Sequence, residues 1–177
     1  MYTYISLVFC FISMIFMKIG LVSDTHGNNE NILQAVELFN QEGVGYVLHA
    51  GDFADEAAAS LFRRLTDAGF IAVSGNCDFS GGIKTAVRCF GGAYHESCFR
   101  GSISDKKILM AHMPSTLRRY IDRDDFDLAV FGHTHRPECR EEGGTLFVNP
   151  GSLSSAEPCV MIVDLDEMSC RKVFLSA

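Results

Sequence analysis

Residues 17–28 read MKIGLVSDTHGN, and this stretch decides the fold. A short apolar run at residues 19–23 ends abruptly in polar residues, which is typical of a buried strand. Over residues 28–40 the apolar side chains then recur at helical spacing. Gly43 and Gly45 stop this helix. The stretch therefore predicts a buried strand, a polar loop and a helix.

The alternation of strand and helix continues along the first half of the chain. Residues 46–50 and 70–74 are predicted as two further buried strands. Between them, the alanine-rich residues 54–67 form a predicted helix that Gly69 closes. A βαβαβ pattern of this kind implies parallel strands joined by right-handed crossovers.

The second half of the chain contains more strands and fewer helices. Short strands are predicted at residues 107–111, 127–131 and 146–148, and a hairpin at residues 160–164 and 171–175. These strands indicate a second sheet packed face to face on the first. The predicted fold class is α/β, a two-sheet β-sandwich flanked by helices.

Each of five predicted strands is followed by a cluster of carboxylate, amide or imidazole groups. Ligands bind open α/β sheets at the carboxyl ends of the strands. We therefore expect all five clusters to converge on one edge. The clusters are Asp24-Thr25-His26, Gly51-Asp52, Gly75-Asn76-Cys77-Asp78, Ala111-His112 and Gly132-His133-Thr134-His135.

The chemistry of these side chains is that of a metal site. Two aspartates, one asparagine and four histidines offer oxygen and nitrogen donors, which suit Mn, Fe, Zn or Ni better than Ca. Seven donors are too many for one tetrahedral ion. They suit two ions about 3.5–4 Å apart that share one carboxylate. His49 and His95 are interpreted as packing residues, His49 with an alternative role in hydrogen bonding to the site.

The order of the motifs carries a resemblance to a known family. D-x-H, G-D-x-x-D, G-N-x-D, a lone His after a strand and G-H-x-H resemble the calcineurin-like metallophosphoesterases. Within that family the chain looks most like the small, cap-less bacterial and archaeal phosphodiesterase branch. The resemblance runs from Met17 to about the end of the chain and is densest between Asp24 and His135. It implies a four-layer fold and a metal-dependent phosphodiesterase that acts on a small or unspecific phosphodiester.

The resemblance also implies the metal ligands. Two divalent ions would activate a water, whose hydroxide would attack phosphorus in line, and Asn76 would also orient a phosphate oxygen. Mn²⁺ is the expected ion, with Zn²⁺, Fe²⁺, Ni²⁺ and Mg²⁺ as alternatives. Two ligand sets share Asp52 as the bridge: Asp24, His26, Asp52 and His135 for one ion, and Asp52, Asn76, His112 and His133 for the other.

The chain departs from the family pattern at two places. Many members have His where Cys77 stands, and that His is thought to protonate the leaving group, oriented by the residue that Asp55 matches. Cys77 could be a weak acid, a redox-sensitive thiol or a packing residue; the branch resembled here also has Cys at this point. Met113 follows His112 where relatives often have Gly, so the local substrate surface differs. We expect loops around residues 81–104 and 114–125 to select the substrate.

The composition narrows the class of substrate and the cellular compartment of the protein. The net charge of −7 argues against a large nucleic-acid footprint, and so against a nuclease acting on long substrates. Seven cysteines without a C-x-x-C pair favour a reducing compartment, so we expect a cytoplasmic protein. The resemblance implies that a homo-oligomer can form. The competing function is a catalytically weak metal-binding scaffold for protein assembly, disfavoured because all four histidines of the motifs are retained.

Residues 1–16 form an apolar N-terminal extension, and residues 17–177 are predicted as a single domain. The extension has no basic start, and Lys18 interrupts the run before the roughly 20 residues that a membrane span needs. Two interpretations of the extension stay open: it is a mis-assigned start or peripheral extension, or it is a weak membrane anchor. No stable membrane insertion is expected. We predict that a chain beginning at Met17 folds and binds metal normally. An insoluble or metal-free truncated protein would show that the extension is structural.

Overall fold

The computed structural model describes residues 17–121 and 123–175. The helices are α1 (Asn29–Glu42), α2 (Glu56–Leu61), α3 (Gly81–Cys89) and α4 (Pro114–Ile121), with a short 3₁₀ turn at Phe62–Arg64. The strands are β1 (Lys18–Val22), β2 (Tyr46–His49), β3 (Gly69–Val73), β4 (Ala93–His95), β5 (Cys98–Ile103), β6 (Lys106–Ala111), β7 (Leu128–Val130), β8 (Glu138–Glu142), β9 (Thr145–Asn149), β10 (Cys159–Asp164) and β11 (Ser169–Phe174).

These strands form two sheets. The first has the order β11-β10-β1-β2-β3-β4, and the second has the order β5-β6-β7-β9-β8. In the first sheet β1 to β4 run parallel, and β10 pairs antiparallel with β1. In the second sheet β6, β7 and β9 run parallel between two antiparallel edge strands. The predicted two-sheet sandwich flanked by helices is confirmed.

Strand β1 shows how the sequence fills both faces of its sheet. Ile19 and Leu21 pack into the core between the two sheets, whereas Val22 packs under the helices. Gly20 lies on the helix side, where an added Cβ would stand 2.5 Å from the Phe39 ring. The strand therefore needs glycine at this position, because α1 packs too closely for any side chain.

Helix α1 has the predicted boundaries to within two residues. The Asn28 side chain accepts a hydrogen bond from the Asn31 backbone N–H, which caps the first turn. Gly43 ends the helix in the left-handed conformation, with φ of 63°. On the other sheet, α4 covers a smaller apolar cluster through Leu117.

Two predictions of local structure were wrong. The helix predicted over residues 54–67 is shorter: it begins after the Asp55 cap, and Leu65 is already extended after the 3₁₀ turn. The regions at 81–104 and 114–125, predicted as substrate loops, contain α3, α4, β4 and β5. Helix α3 forms because Ser80 caps its first turn and Ile83 and Val87, four residues apart, are buried on one face.

Residues 1–16 lie outside the described part of the chain. The two interpretations of them, a mis-assigned start or peripheral extension and a weak membrane anchor, therefore fall outside it as well. Within residues 17–121 and 123–175, every helix is too short or too polar to cross a membrane.

Candidate metal centre

The structure brings all seven predicted metal ligands together at one edge of the sandwich. Each lies in the loop that follows a strand, at the carboxyl end where ligands bind in sheets of this kind. Asp24 and His26 follow β1, Asp52 follows β2, Asn76 follows β3, His112 follows β6, and His133 and His135 follow β7.

The backbone at these ligands is strained. Five of the seven have a left-handed φ, which costs a residue with a side chain about 1–2 kcal/mol. Strain of this kind persists where the surrounding structure enforces it, and it gathers at functional sites. The φ values are 53° at Asp24, 42° at His26, 62° at Asp52, 66° at His133 and 56° at His135.

Asp24 is a buried carboxylate with one unsatisfied oxygen. Its Oδ2 accepts hydrogen bonds from the Ser23 hydroxyl at 2.6 Å and from the His133 backbone N–H at 3.1 Å. Its Oδ1 is buried and has no hydrogen-bond partner, although Nε2 of His135 stands 3.1 Å away and Nε2 of His26 3.9 Å away. Buried polar atoms are normally paired. A cation held between these three side chains would satisfy the oxygen.

A second group of donors centres on Asn76. Its Oδ1 lies 2.9 Å from Nε2 of His112 and 2.9 Å from Nδ1 of His133. Nδ1 of His112 donates to the Ala50 carbonyl at 2.8 Å, which leaves Nε2 of the neutral ring as a lone-pair donor towards the site. Burial by itself lowers the pKa of His112, but the Asp52 carboxylate raises it by more, so the site favours positive charge.

Asp52 belongs to both groups. Its Oδ2 stands 3.4 Å from Nε2 of His112 and 3.8 Å from Nε2 of His26. Burial works to raise the pKa of Asp52, but His112 and the Cys77 backbone N–H lower it by more, so the side chain stays a carboxylate. Three overlapping sets have ligand atoms within 4.8 Å of one another: Asp24, His26 and His135; Asp24, Asp52 and His112; and His26, Asp52 and Cys77. The donor chemistry fits two divalent ions that share Asp52.

The carboxylates of Asp24 and Asp52 lie against two glycines, where a larger residue would not fit. A Cβ on Gly75 would stand 2.0 Å from Oδ1 of Asp52. A Cβ on Gly132 would stand 2.0 Å from the Ser23 hydroxyl and 2.8 Å from Oδ2 of Asp24. Side chains at these two positions would displace the candidate ligands Asp52 and Asp24, which explains why the motifs contain glycine there.

Asp78 has a positioning role that the sequence pattern did not indicate. Its carboxylate accepts four backbone N–H bonds: from Asp52 at 2.9 Å, Phe53 at 2.7 Å, Ala54 at 3.1 Å and Gly75 at 2.7 Å. It therefore holds the loop after β2 in the conformation that presents Asp52. The G-N-x-D motif included Asp78, but only the structure shows which backbone groups it binds.

Replacing Asp78 with asparagine should weaken metal binding without removing any ligand. The amide nitrogen of the new side chain donates hydrogen bonds, so two of the four backbone N–H groups lose their acceptor. We expect Mn²⁺ affinity to fall about 10–100-fold, the usual effect of losing a group that positions a ligand. Calorimetric titration of metal-free protein measures this, with the exposed Asp67→Asn as control. Unchanged affinity in Asp78→Asn would contradict this role.

The remaining candidate residues lie beside the site. Asp55 is exposed, and its Oδ1 accepts the Ala58 backbone N–H as the cap of α2, so its predicted catalytic role stays a prediction. The Cys77 backbone N–H donates to Oδ1 of Asp52 at 2.8 Å. Burial and the nearby Asp52 carboxylate raise the pKa of the Cys77 thiol.

His49 has the packing and hydrogen-bonding role predicted for it. Its ring stacks on Phe53 with centroids 3.5 Å apart, and its Nδ1 accepts the Gly51 backbone N–H at 3.1 Å. Its Nε2 lies 3.3 Å from the Thr25 hydroxyl. Burial lowers the pKa of His49, so the ring is neutral beside the metal ligands.

Comparisons with known proteins show the family to which the chain belongs. A phosphodiesterase of Methanocaldococcus jannaschii is 31% identical over 169 residues, covering 90% of this chain and 99% of the relative. A solved structure of an archaeal phosphodiesterase matches with a TM-score of 0.83 at 31% identity, covering 90% of this chain and 100% of that one. Zinc-complexed Vps29 of Entamoeba histolytica, 19% identical, shares the fold with a TM-score of 0.63 over 90% of this chain and 100% of that one.

The family model for the calcineurin-like phosphoesterase superfamily domain matches residues 17–168, which include every residue of the candidate site. The chain therefore belongs to the calcineurin-like phosphoesterase superfamily.

Proposed function

We propose that this protein is a metal-dependent phosphodiesterase that hydrolyses a small or unspecific phosphodiester. The observation that carries the proposal is the position of Asp52 between two sets of nitrogen and oxygen donors. The relatives with 31% identity are named phosphodiesterases, which supports the same reaction class. The net charge of −7 favours a small substrate over a long nucleic acid.

The proposed ligands are the two sets that share Asp52, with Mn²⁺ as the resident ion and Zn²⁺, Fe²⁺, Ni²⁺ or Mg²⁺ as alternatives. When bound, the metal would supply a water with a pKa lowered towards ~7 and positive charge to neutralise the phosphoryl oxygens. Asp52 contributes a carboxylate that stays ionised. The Asn76 amide belongs to the proposed second ligand set, and we propose that its N–H groups orient a phosphate oxygen. His133 and His135 are exposed, so the proposed site is open to solvent on their side.

Hydrolysis of bis-(p-nitrophenyl) phosphate tests the reaction class. Metal-free protein should be inactive, and refilling with Mn²⁺ should restore turnover of the diester well above that of p-nitrophenyl phosphate. A strong preference for the monoester would replace the diesterase proposal with a phosphomonoesterase.

A scaffold role remains the competing proposal, because the fold is shared with Vps29. Metal binding alone does not separate the two functions, since that Vps29 structure is itself a zinc complex. Turnover does separate them. Stoichiometric metal binding without turnover of either ester, for each of the candidate metals, would favour the scaffold.

Cys77 is proposed as a residue at the reacting centre, and its replacement measures what the thiol contributes. We expect Cys77→Ala to change turnover of p-nitrophenyl diesters by less than about tenfold, against the 10²–10⁴-fold typical of a general acid. The p-nitrophenolate group leaves without a proton, so it makes little use of an acid. A loss that grows for diesters with alkyl leaving groups would identify the thiol as the acid, and an equal small effect on all diesters would identify a packing residue.

We also propose a cytoplasmic location and self-association. The location is supported by the cysteines, since all six in the described residues are free thiols. Sedimentation analysis of the full chain measures the oligomeric state.

A further inference from the structure

Two edge strands bring a pair of cysteines to the same border of the space between the sheets. Strand β8 is an edge of the second sheet, and β11 is an edge of the first. Cys139 on β8 pairs with Val148, and Cys170 on β11 pairs with Val163. Directly opposed residues on neighbouring strands point to the same face of a sheet. Both valines are fully buried in the core between the sheets, so both cysteines point into that space.

Both thiols lie at the border of that space. Cys170 packs against the core between the sheets. Cys139 is a neighbouring side chain of Cys170, and burial and Cys139 both raise the pKa of the Cys170 thiol. Cys139 is exposed to solvent, whereas Cys170 is partly buried. The two cysteines therefore belong to different sheets, and a small molecule can reach the pair from the Cys139 side.

The outer face of β8 carries the next residue, Arg140. Arg140 points away from the interior, where its guanidinium stands 4.4 Å from the centre of the Phe147 ring and pairs with Glu138 and Glu142. The contact with Phe147 reaches β9, whereas the two ion pairs lie within β8. Cys139 is thus fixed on the inner face, opposite the strand that carries Cys170.

We propose that Cys139 and Cys170 form a reversible disulfide between the two sheets when the protein meets a low-molecular-weight disulfide such as oxidised glutathione. The exposed Cys139 thiolate attacks first, forming a mixed disulfide and releasing one glutathione thiolate. The Cys170 thiolate then attacks the Cys139 sulfur and releases the second. The two cysteines lose two protons and two electrons in total, and these appear in two molecules of reduced glutathione.

The disulfide should stabilise the fold. It closes a loop of roughly 30 residues and ties the last strand of one sheet to the edge of the other, which restricts the unfolded chain. For a protein of this size we expect the midpoint of thermal unfolding to rise on the order of 5 to 10 °C.

The test equilibrates the Mn²⁺-loaded full chain with buffers of increasing oxidised-to-reduced glutathione ratio. Free thiols are then trapped by alkylation, and disulfide-linked peptides are identified by mass spectrometry. We expect one linked pair containing Cys139 and Cys170, a raised unfolding midpoint, and reversal of both by a reductant. Cys98→Ser should behave like the parent protein, since Cys98 lies on the outer face of the second sheet.

The single variants Cys139→Ser and Cys170→Ser each remove one of the two sulfur atoms that the disulfide needs. Each should fold as the parent does in reducing buffer and lose the rise in midpoint under oxidation. Recovery of Cys139 and Cys170 only as separate glutathione adducts, or as links to other cysteines, would overturn the proposal. An oxidation-dependent rise in midpoint that persists in Cys139→Ser would overturn it as well.

Discussion

Replacing Asp52 with asparagine should abolish diester hydrolysis while leaving the fold intact. Asp52 is the side chain common to both donor groups, and its carboxylate is held ionised by His112 and by the Cys77 backbone. Asparagine has nearly the same shape but carries no charge and presents one oxygen. Loss of a single donor to a developing oxyanion costs about 10²–10³ in turnover, so loss of the shared ligand should cost about 1000-fold or more.

The measurement is turnover of bis-(p-nitrophenyl) phosphate at saturating Mn²⁺, with the metal content of each sample determined in parallel. Asp67→Asn makes the same chemical change at an exposed position and should match the parent protein. Asp52→Asn should contain less than the two metal equivalents of the parent. Activity within tenfold of the parent would show that Asp52 is not the bridge.

Gly75→Ala should be nearly as damaging, although it removes no functional group. The added methyl carbon would stand 2.0 Å from Oδ1 of Asp52 and 2.3 Å from the Asp52 backbone nitrogen, so the ligand must move. Overpacking of this kind costs about 1–3 kcal/mol of stability. We expect a loss of turnover of about 100-fold or more, since small displacements of reacting groups have effects of that size.

Gly81→Ala is the matched control. Gly81 begins α3, is exposed, and has no atom within 4 Å of an added Cβ. This variant should keep full activity and should be as stable as the parent or slightly more so, since alanine favours helix. Parental turnover in Gly75→Ala would mean that the loop after β3 moves freely, and that Asp52 is not held as the structure indicates.

The sequence alone predicted which side chains converge at one edge, because their positions follow from a regular pattern. Each strand is a short apolar run, each run ends in a polar cluster, and parallel strands bring their carboxyl ends to one edge. Asp24, Asp52 and His112 could therefore be assigned to one site before any coordinates. The same regularity located β1, whose alternation of Ile19 and Leu21 with Gly20 fits a sheet packed on both faces.

Other features depend on contacts that a linear pattern does not contain. Asp78 binds the backbone of a loop more than twenty residues away, and no spacing rule marks that contact. Helix α3 contains only nine residues, two of them glycine at its start, so its propensity signal is weak. Cys139 and Cys170 are neighbours only because two sheets stack with their edges aligned, and their spacing in the sequence is uninformative.

Titration of metal-free protein with Mn²⁺ tests the central claim most directly, with bound metal and turnover of bis-(p-nitrophenyl) phosphate followed together. The two donor groups around Asp52 predict that two ions bind per chain and that full activity appears only with the second. Full activity at one equivalent, or two bound ions without diester turnover, would contradict a two-metal phosphodiesterase.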